Sequence, residues 1–431
     1  MYKCSLYNVI VPYEEGDLLF NTYRGTLAKI DANCKSDLNI VHHGSPYKDL
    51  FVEQGFWVKE DQDELLEMKQ VNEEAKFNQK EMNLTIKLTD ECNFRCLYCY
   101  QPHTTEKLTS SKLRRIEKFV LNSIKDGIKK VFFHLFGGEP SLNLSIASEL
   151  SNFLKFNNIQ HGFTMTSNGY LLNATLVAEM ERIGINSLQV TLDGPQQIHD
   201  SMRYLPNGEG TYEVILKNLI YILQNTEIHM VIRCNLSKRN APYIHELLQN
   251  LFVSGLLESK RVEITTHEAM KHETTPDSPV DDEVYFNSRI EFAQESLKVC
   301  ALYANYGKKI YTCKMRPYSC EFDVLHNRVI STNLDFEYCT SSGIDNFVGG
   351  IDDDGNVIRT EHDKIRTTRV PFLKSKCVAC KVLPICMGGC ALLEHMGSDS
   401  CIFIKYVLDD YVRLLYESRK SNNVSQKGEL L

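Results

Sequence analysis

Cys92-Asn93-Phe94-Arg95-Cys96-Leu97-Tyr98-Cys99 sets three cysteines at Cys-x3-Cys-x2-Cys spacing in one short stretch. Immediately before it, residues 85–88 form an apolar run of strand type. Similar runs recur at 131–135, 163–166, 188–191, 229–234 and 262–266. Amphipathic helix patterns separate them. One opens near Thr109 and Ser110, carries a stripe of Leu113, Ile116, Val120 and Ile124, and stops at Gly127. Continuous apolar strands alternating with such helices predict an α/β fold, a parallel sheet covered by helices. Six units are too few for a closed eight-stranded barrel, so an open, partial (β/α)6 barrel is expected. The cysteines then fall on the loop after the first strand, at the sheet end where α/β folds do their chemistry. Three thiolates on one loop suit three irons of a 4Fe-4S cluster, whose usual complement is four cysteines. A zinc knuckle is the plainer alternative.

The chain has 431 residues, and 43% apolar with 24% charged is globular composition with enough length for two or three cored domains. A formal charge of -8 offers nucleic acid no general attraction, so none is expected as a partner. No run of eighteen apolar residues occurs, and the amino terminus carries neither a basic leader nor a cleavage site. The sequence therefore predicts no membrane span and a cytoplasmic location. Fifteen cysteines in a reducing compartment argue for metal rather than disulfides.

Residues 1–80 read as a separate front module with a linker. Strand runs at 6–11 and 18–23 flank the turn Glu14-Glu15-Gly16-Asp17, a helix begins near Ser45-Pro46 and stops at Gly55, and Phe56-Trp57-Val58 reads as a strand. Residues 61–80 read as a surface helix. The barrel takes 81–282, a linking helix 283–312 and a cysteine-rich domain 313–420 closed by a helix over 402–419. The tail, 421–431, is expected to fray.

With the triad in place, further segments resemble the radical S-adenosylmethionine (SAM) superfamily. Phe136-Gly137-Gly138-Glu139-Pro140 ends the second strand, Thr166-Ser167-Asn168-Gly169 the third and Thr191-Leu192-Asp193-Gly194-Pro195 the fourth. His199-Asp200-x2-Arg203 follows, and Asn235 ends the fifth strand. The resemblance implies a 4Fe-4S cluster on Cys92, Cys96 and Cys99 whose fourth iron chelates SAM. It implies that Gly137, Gly138 and Glu139 receive the amino group of SAM, with Ser167, Asn168, Asp193 and Asn235 near its ribose and methionyl groups. Arg203 would take the carboxylate and Tyr98 would lie beside the adenine. Each segment alone is also an ordinary turn or strand end. The implied chemistry is reductive cleavage of SAM, by an electron donor such as flavodoxin or ferredoxin, to a 5'-deoxyadenosyl radical that takes a hydrogen atom from substrate.

Cys377-x2-Cys380-x5-Cys386-x3-Cys390, followed by Cys401, resembles the SPASM extension of peptide-modifying radical enzymes. That resemblance implies an auxiliary 4Fe-4S cluster on Cys377, Cys380, Cys386 and Cys401, with Cys390 reaching to a second cluster that includes Cys339. By spacing alone the set suits zinc equally well. One position departs from the pattern. Cys339 and Gly355 fit, but Thr360 stands where the next cysteine is expected, and a hydroxyl is a poor iron ligand. The second cluster is then absent, recruits Cys313 or Cys320, or keeps an open iron for a substrate thiolate. Glu361-His362-Asp363 beyond it offers Glu361 as a catalytic acid–base candidate, with a solvated charged turn as the plain reading. Cys4, Cys34, Cys234 and Cys300 lack metal spacing and read as packing residues.

The front module resembles a winged-helix-type leader-recognition element, in which a strand edge pairs with an extended peptide. The resemblance as a whole implies a maturase that forms a thioether or related crosslink on a ribosomally made precursor peptide bearing a leader. A formylglycine-forming sulfatase-maturating type, a peptide epimerase, and a zinc or iron-sulfur scaffold are the alternatives.

Overall fold

The computed structural model describes residues 1–41, 44–77, 80–271, 281–341, 347–361, 363, 368–395 and 397–428. The chain divides into two units, one built from 1–78, 289–323 and 369–431, the other from 79–288 and 324–368.

The first unit opens with β1 (Tyr2–Cys4), β2 (Asn8–Pro12), β3 (Asp17–Asn21), β4 (Thr26–Ile30), α1 (Ala32–Ile40), α2 (Lys48–Glu53), β5 (Trp57–Lys59) and α3 (Glu64–Phe77). The expected hairpin is a three-stranded antiparallel sheet in the order β2-β3-β4, and β1 pairs with β5. Helix α1 went unread because only Cys34 and Leu38 along it are buried, too few for a periodic stripe. Its start is set by Asp31, whose side chain accepts the Cys34 N–H at 2.7 Å.

Strand β3 is buried along its whole length, because its two faces serve two cores. Leu19 packs with Ile30, Leu38, Phe51, Phe56 and Trp57. Leu18 and Phe20 pack with Cys313, Val382, Ile385, Tyr411 and Val412. The front module and the cysteine-bearing carboxyl segment thus share one hydrophobic core. Helix α3 joins the two segments through a separate, smaller cluster and is no surface linker. Met68 is wholly buried beside Tyr7 and Leu383. Buried Glu64 accepts from the Ser5 hydroxyl at 2.6 Å and the Leu6 N–H at 2.8 Å, while Asn72 donates to the Pro317 carbonyl at 2.7 Å and Lys76 to that of Arg369 at 2.9 Å. The polar letters of α3 look solvated in the sequence only because their partners lie hundreds of residues away.

The second unit contains β6 (Glu81–Lys87), α4 (Ser110–Lys125), β7 (Lys130–Phe136), α5 (Leu144–Phe156), β8 (Gln160–Ser167), α6 (Ala174–Ile183), β9 (Ile185–Thr191), α7 (Gln196–Met202), α8 (Tyr212–Asn225), β10 (His229–Leu236), α9 (Ile244–Val253) and β11 (Val262–Glu268). The six expected strands are present, parallel and adjacent in chain order. Thr109 caps α4, accepting the Lys112 N–H at 3.3 Å, and Leu113, Ile116 and Val120 are wholly buried. Along the strands, Leu135, Met165, Leu188, Val190 and Ile232 are buried, whereas the intervening Thr166, Gln189, Thr191, Arg233 and Asn235 line a cavity. The expected linking helix is two helices, α10 (Asp281–Val284) and α11 (Arg289–Ala304).

The sheet continues past β6. Strand β12 (Arg328–Ile330) pairs parallel to β6, and β13 (Asp335–Glu337), β14 (Phe347–Ile351) and β15 (Val357–Arg359) extend it as an antiparallel meander to ten strands. Gly355, at φ +79 in the β14–β15 turn, lies against α4, where a Cβ would sit 2.5 Å from the Phe119 nitrogen. Lys118 and Asn122 of α4 donate to the Asp353 and Asp354 carbonyls at 2.7 and 3.1 Å. This contact accounts for Gly355 without any ligand. At the other end of the chain a helix runs over Leu408–Gly428, through most of the stretch expected to fray.

Because β3 closes the core shared with residues 369–431, a chain lacking residues 1–78 is expected to aggregate. In the full chain, Phe20→Ala should cost about 3–5 kcal/mol, read as a shift of the urea unfolding midpoint of the first unit. Clean, soluble expression of the truncated chain would contradict this.

Candidate active site

The loop between β6 and α4 is held from two sides. Arg95 N–H donates to the Tyr204 carbonyl at 2.8 Å and Leu97 N–H to that of Met202 at 2.9 Å. Opposite, the N–H groups of Gly138 and Glu139 donate to the carbonyls of Thr89 and Glu91, both at 2.8 Å. Only glycine permits the second approach: a Cβ on Gly137 (φ +137) would lie 2.3 Å from the Thr89 oxygen, and one on Gly138 would lie 2.3 Å from that of Glu91. So pinned, Cys92, Cys96 and Cys99 line one cavity of about 190 Å³ together with Tyr98, Gly137, Gly138, Ser167, Asn168, Arg203 and Asn235.

None of the three cysteines is in a disulfide. Burial pushes the Cys92 thiol up to about 11 and that of Cys96 to about 12. Alone they stay protonated at neutral pH; a bound metal centre would displace those protons. Among the described residues no three His, Cys, Asp or Glu side chains gather closely enough for a single metal ion. Sulfurs that each take a separate iron need no such convergence, so the donor set fits an iron-sulfur cluster.

A buried polar network forms one wall. The Tyr98 hydroxyl donates to Asp193 Oδ2 and accepts from Arg203 Nη1 and Asn235 Nδ2, each at 2.9 Å. Asp193 Oδ1 accepts the Asn235 N–H at 2.7 Å. Arg203 Nε is buried with no hydrogen-bond partner among the described residues, and Asp193 Oδ2 lies 3.9 Å from it. Arg203 as a residue lines the cavity, and a guanidinium there suits a carboxylate ligand. His199 braces the network from behind. Its Nδ1 accepts the Asp193 N–H at 3.2 Å, so Nε2 carries the proton toward Thr211 Oγ1 at 3.1 Å, and Thr211 donates to the Arg203 carbonyl at 2.8 Å. Burial, then Arg203, holds the pKa of His199 well below its usual value.

Two expected ligand-facing residues turn inward. The carboxylate of Glu139 is wholly buried and does not line the cavity. Its Oε1 accepts from Ser141 N–H (3.1 Å), Ser141 Oγ (2.6 Å) and Ser167 Oγ (2.8 Å), and its Oε2 from Asn168 N–H (2.7 Å). Burial raises its pKa against the pull of these four donors. Asp193, also wholly buried, is likewise engaged by the network. Both residues tie strand ends together, and the cavity surface is left to the groups they hold.

Arg233 was missed. It lines the cavity, donates through Nε to Asn235 Oδ1 at 2.8 Å, and has no carboxylate within ion-pair distance among the described residues. Its spacing of two from Asn235 on a strand puts both on one face, a signal present in the sequence.

Elsewhere, Cys377, Cys380, Cys386 and Cys401 line a second cavity within the first unit, alongside Lys374, Lys376 and Lys405. Cys390 is not among its lining residues; its N–H donates to the Ser400 carbonyl at 2.8 Å. Cys313 packs in the core with Phe20 and Tyr411. Cys339 is half-buried in the second unit, next to Thr340 and Ser341 of the first cavity's wall. The Thr360 hydroxyl donates to the Val348 carbonyl at 2.8 Å, a sheet contact. Glu361 is exposed and lines neither cavity; His362 lies outside the described residues.

Residues 86–237 match the model of the Radical SAM superfamily. A GTP 3',8-cyclase of Desulforamulus reducens is 30% identical over 132 residues, 30% of this chain and 39% of that protein. The chain spans less than two thirds of the length of the curated relatives it matches first. Among solved structures, native anSMEcpe with bound AdoMet and a Cp18Cys peptide superposes with a TM-score of 0.60 at 15% identity, covering 79% of this chain and 99% of that one. Streptococcus suis SuiB bound to its precursor peptide SuiA superposes with a TM-score of 0.50 at 14% identity, covering 93% and 98%. These likenesses concern the fold. Residues 86–237 thus resemble a radical SAM domain, and that match implies a 4Fe-4S cluster and SAM for this segment. Among the described residues no helix is long and apolar enough to cross a membrane.

Replacing Glu139 by Gln puts an NH2 group where only donors approach. It should lower stability by about 1–3 kcal/mol, measured by urea unfolding of the metal-free protein; an unchanged midpoint would refute the structural role. Acid should act through the buried histidines. Burial lowers the pKa of His134 from 6.5 to about 4, so the stability it contributes is full above 6.5 and lost as pH falls toward 4. The slope is about 1.4 kcal/mol per pH unit per histidine. A His134→Gln variant should flatten the fall in melting temperature between pH 6.5 and 4.5.

Proposed function

We propose that the protein is a radical SAM maturase of ribosomally made peptides, with a SPASM-type auxiliary cluster, that abstracts a substrate hydrogen and closes a thioether or related crosslink. The observation that carries the peptide reading is the second cavity, which four cysteines spread over residues 377–401 line together. Peptide-bound structures among its fold neighbours support it.

Cys92, Cys96 and Cys99 would hold the reactive cluster, and Cys377, Cys380, Cys386 and Cys401 an auxiliary one. When bound, the loop cluster supplies the electron that splits SAM and so the radical that takes hydrogen from substrate. The chain's own part is positioning. Arg203, a guanidinium lining the cavity, takes the SAM carboxylate. Gly137 and Gly138 leave their backbone at the cavity surface, and the Tyr98–Asp193–Asn235 wall keeps the donors fixed so that little reorganisation is needed when the ligand arrives. The precursor's leader would pair with an edge of the β2-β3-β4 sheet, and a flavodoxin or ferredoxin would deliver electrons.

Anaerobically reconstituted protein should release 5'-deoxyadenosine with dithionite and SAM. Substituting alanine at Cys92, Cys96 or Cys99 should reduce release by at least about a thousandfold, since removing a transition-state contact worth ~4 kcal/mol already does so. Co-expression with a precursor encoded beside this gene should yield peptide lighter by two hydrogens per crosslink. Formylglycine in place of a cysteine, or deuterium uptake from D2O without mass loss in H2O, would replace crosslinking by the sulfatase-maturating or epimerase reading. Iron-loaded protein that never releases 5'-deoxyadenosine would end the radical reading altogether.

A further inference from the structure

We propose that His103 tunes the reduction potential of the metal centre on the Cys92, Cys96 and Cys99 loop by donating a hydrogen bond to the sulfur of Cys99. The proposal rests on the radical SAM reading above, and adds to it a residue that lies outside every motif of the loop.

His103 follows the cysteines on the same loop and lines the same cavity. Its Nε2 lies 3.3 Å from Cys99 Sγ and its Nδ1 lies 3.2 Å from Arg95 Nη1. A guanidinium can only donate. The Nδ1 of His103 must therefore be the acceptor, and the ring proton must sit on Nε2, aimed at sulfur. Arg95 is itself held in place: the two N–H groups of the same Nη1 are shared among His103 Nδ1, the Cys92 carbonyl at 3.0 Å and the Phe94 carbonyl at 2.7 Å, so one of them is bifurcated. Arg95 thus sets the tautomer of His103, and the tautomer sets the polarity of the contact with Cys99. Rotation of the ring would lose both contacts at once.

A hydrogen bond to a ligating sulfur is one of the levers by which a protein sets an iron-sulfur potential. Adding one electron increases the negative charge on the thiolates, so a donor stabilises the reduced state more than the oxidised one and raises the potential. The step is a one-electron reduction with no bond made or broken, the electron coming from dithionite in the assay. His103 is a positioning residue: it acts through Cys99 and needs no contact with substrate.

The test uses the full-length protein reconstituted with iron and sulfide, poised anaerobically at a series of potentials and read by EPR. The signal that changes on adding SAM identifies the loop centre. His103→Met and His103→Phe lack a donor; His103→Gln keeps an N–H. The expected result is a reduction equilibrium constant lower by roughly three- to tenfold in the Met and Phe variants, the size of one hydrogen bond. Tenfold corresponds to about 59 mV for one electron. The Gln variant should stay within about twofold of the unmodified protein. Equal midpoints in all four proteins at equal iron content would overturn the proposal. So would equal shifts in all three variants, or loss of iron from the Gln variant along with the other two, since each points to a structural role. Failure of the unmodified protein to take up iron is seen before any variant is made and sinks the radical SAM reading instead.

Discussion

The site depends on one close approach of backbone to backbone, where residues 137–139 lie against 89–91. The contact has no room for side chains, and it is sealed by two hydrogen bonds of 2.8 Å. It ties the end of the second parallel strand to the start of the cysteine loop, and the 202–204 segment clamps the other side. A loop without regular structure would otherwise have to order its three sulfurs at full conformational cost. Here most of that cost is met during folding, by contacts that involve no metal.

The same economy explains why Glu139 and Asp193 face inward. A carboxylate buried among donors is a rigid bracket, and each one here joins the ends of two or more strands. The groups left facing the cavity, among them Arg203, Asn235 and Arg233, inherit their positions from these brackets. Ligand-facing and supporting roles are thus split between neighbours in the same short motifs, which a motif by itself does not reveal.

Much of this was legible in the sequence. The six parallel strands announced themselves as apolar runs, and α4 as a capped, striped helix ending before Gly127. The cysteine triad stood out by its spacing, and the grouping of the four cysteines of the second cavity came from a family resemblance. What stayed hidden has a common physical cause. The meander β12 to β15 consists of strands of three to five residues, too short for periodicity to register. Glu64, Asn72 and Lys76 have the letters of a solvated face, and only tertiary partners make them core. Arg233 and His103 carry no motif; their meaning lies in what they touch, the oxygen of Asn235 and the sulfur of Cys99. The run Leu18-Leu19-Phe20 was read as one side of a hairpin, although three consecutive apolar residues on a strand already indicate burial on both faces.

That doubly buried strand has an evolutionary corollary. A module held to its neighbour by a loose tether can be exchanged between proteins as a cassette. One whose central strand lends alternate side chains to two different hydrophobic clusters cannot, because any replacement must satisfy both at once. Inheritance of the front sheet is therefore tied to that of the carboxyl-terminal cysteine segment. Val11 and Ile30 bind the flanking strands to the same two clusters, so room for new recognition is left to the exposed positions and turns of the sheet.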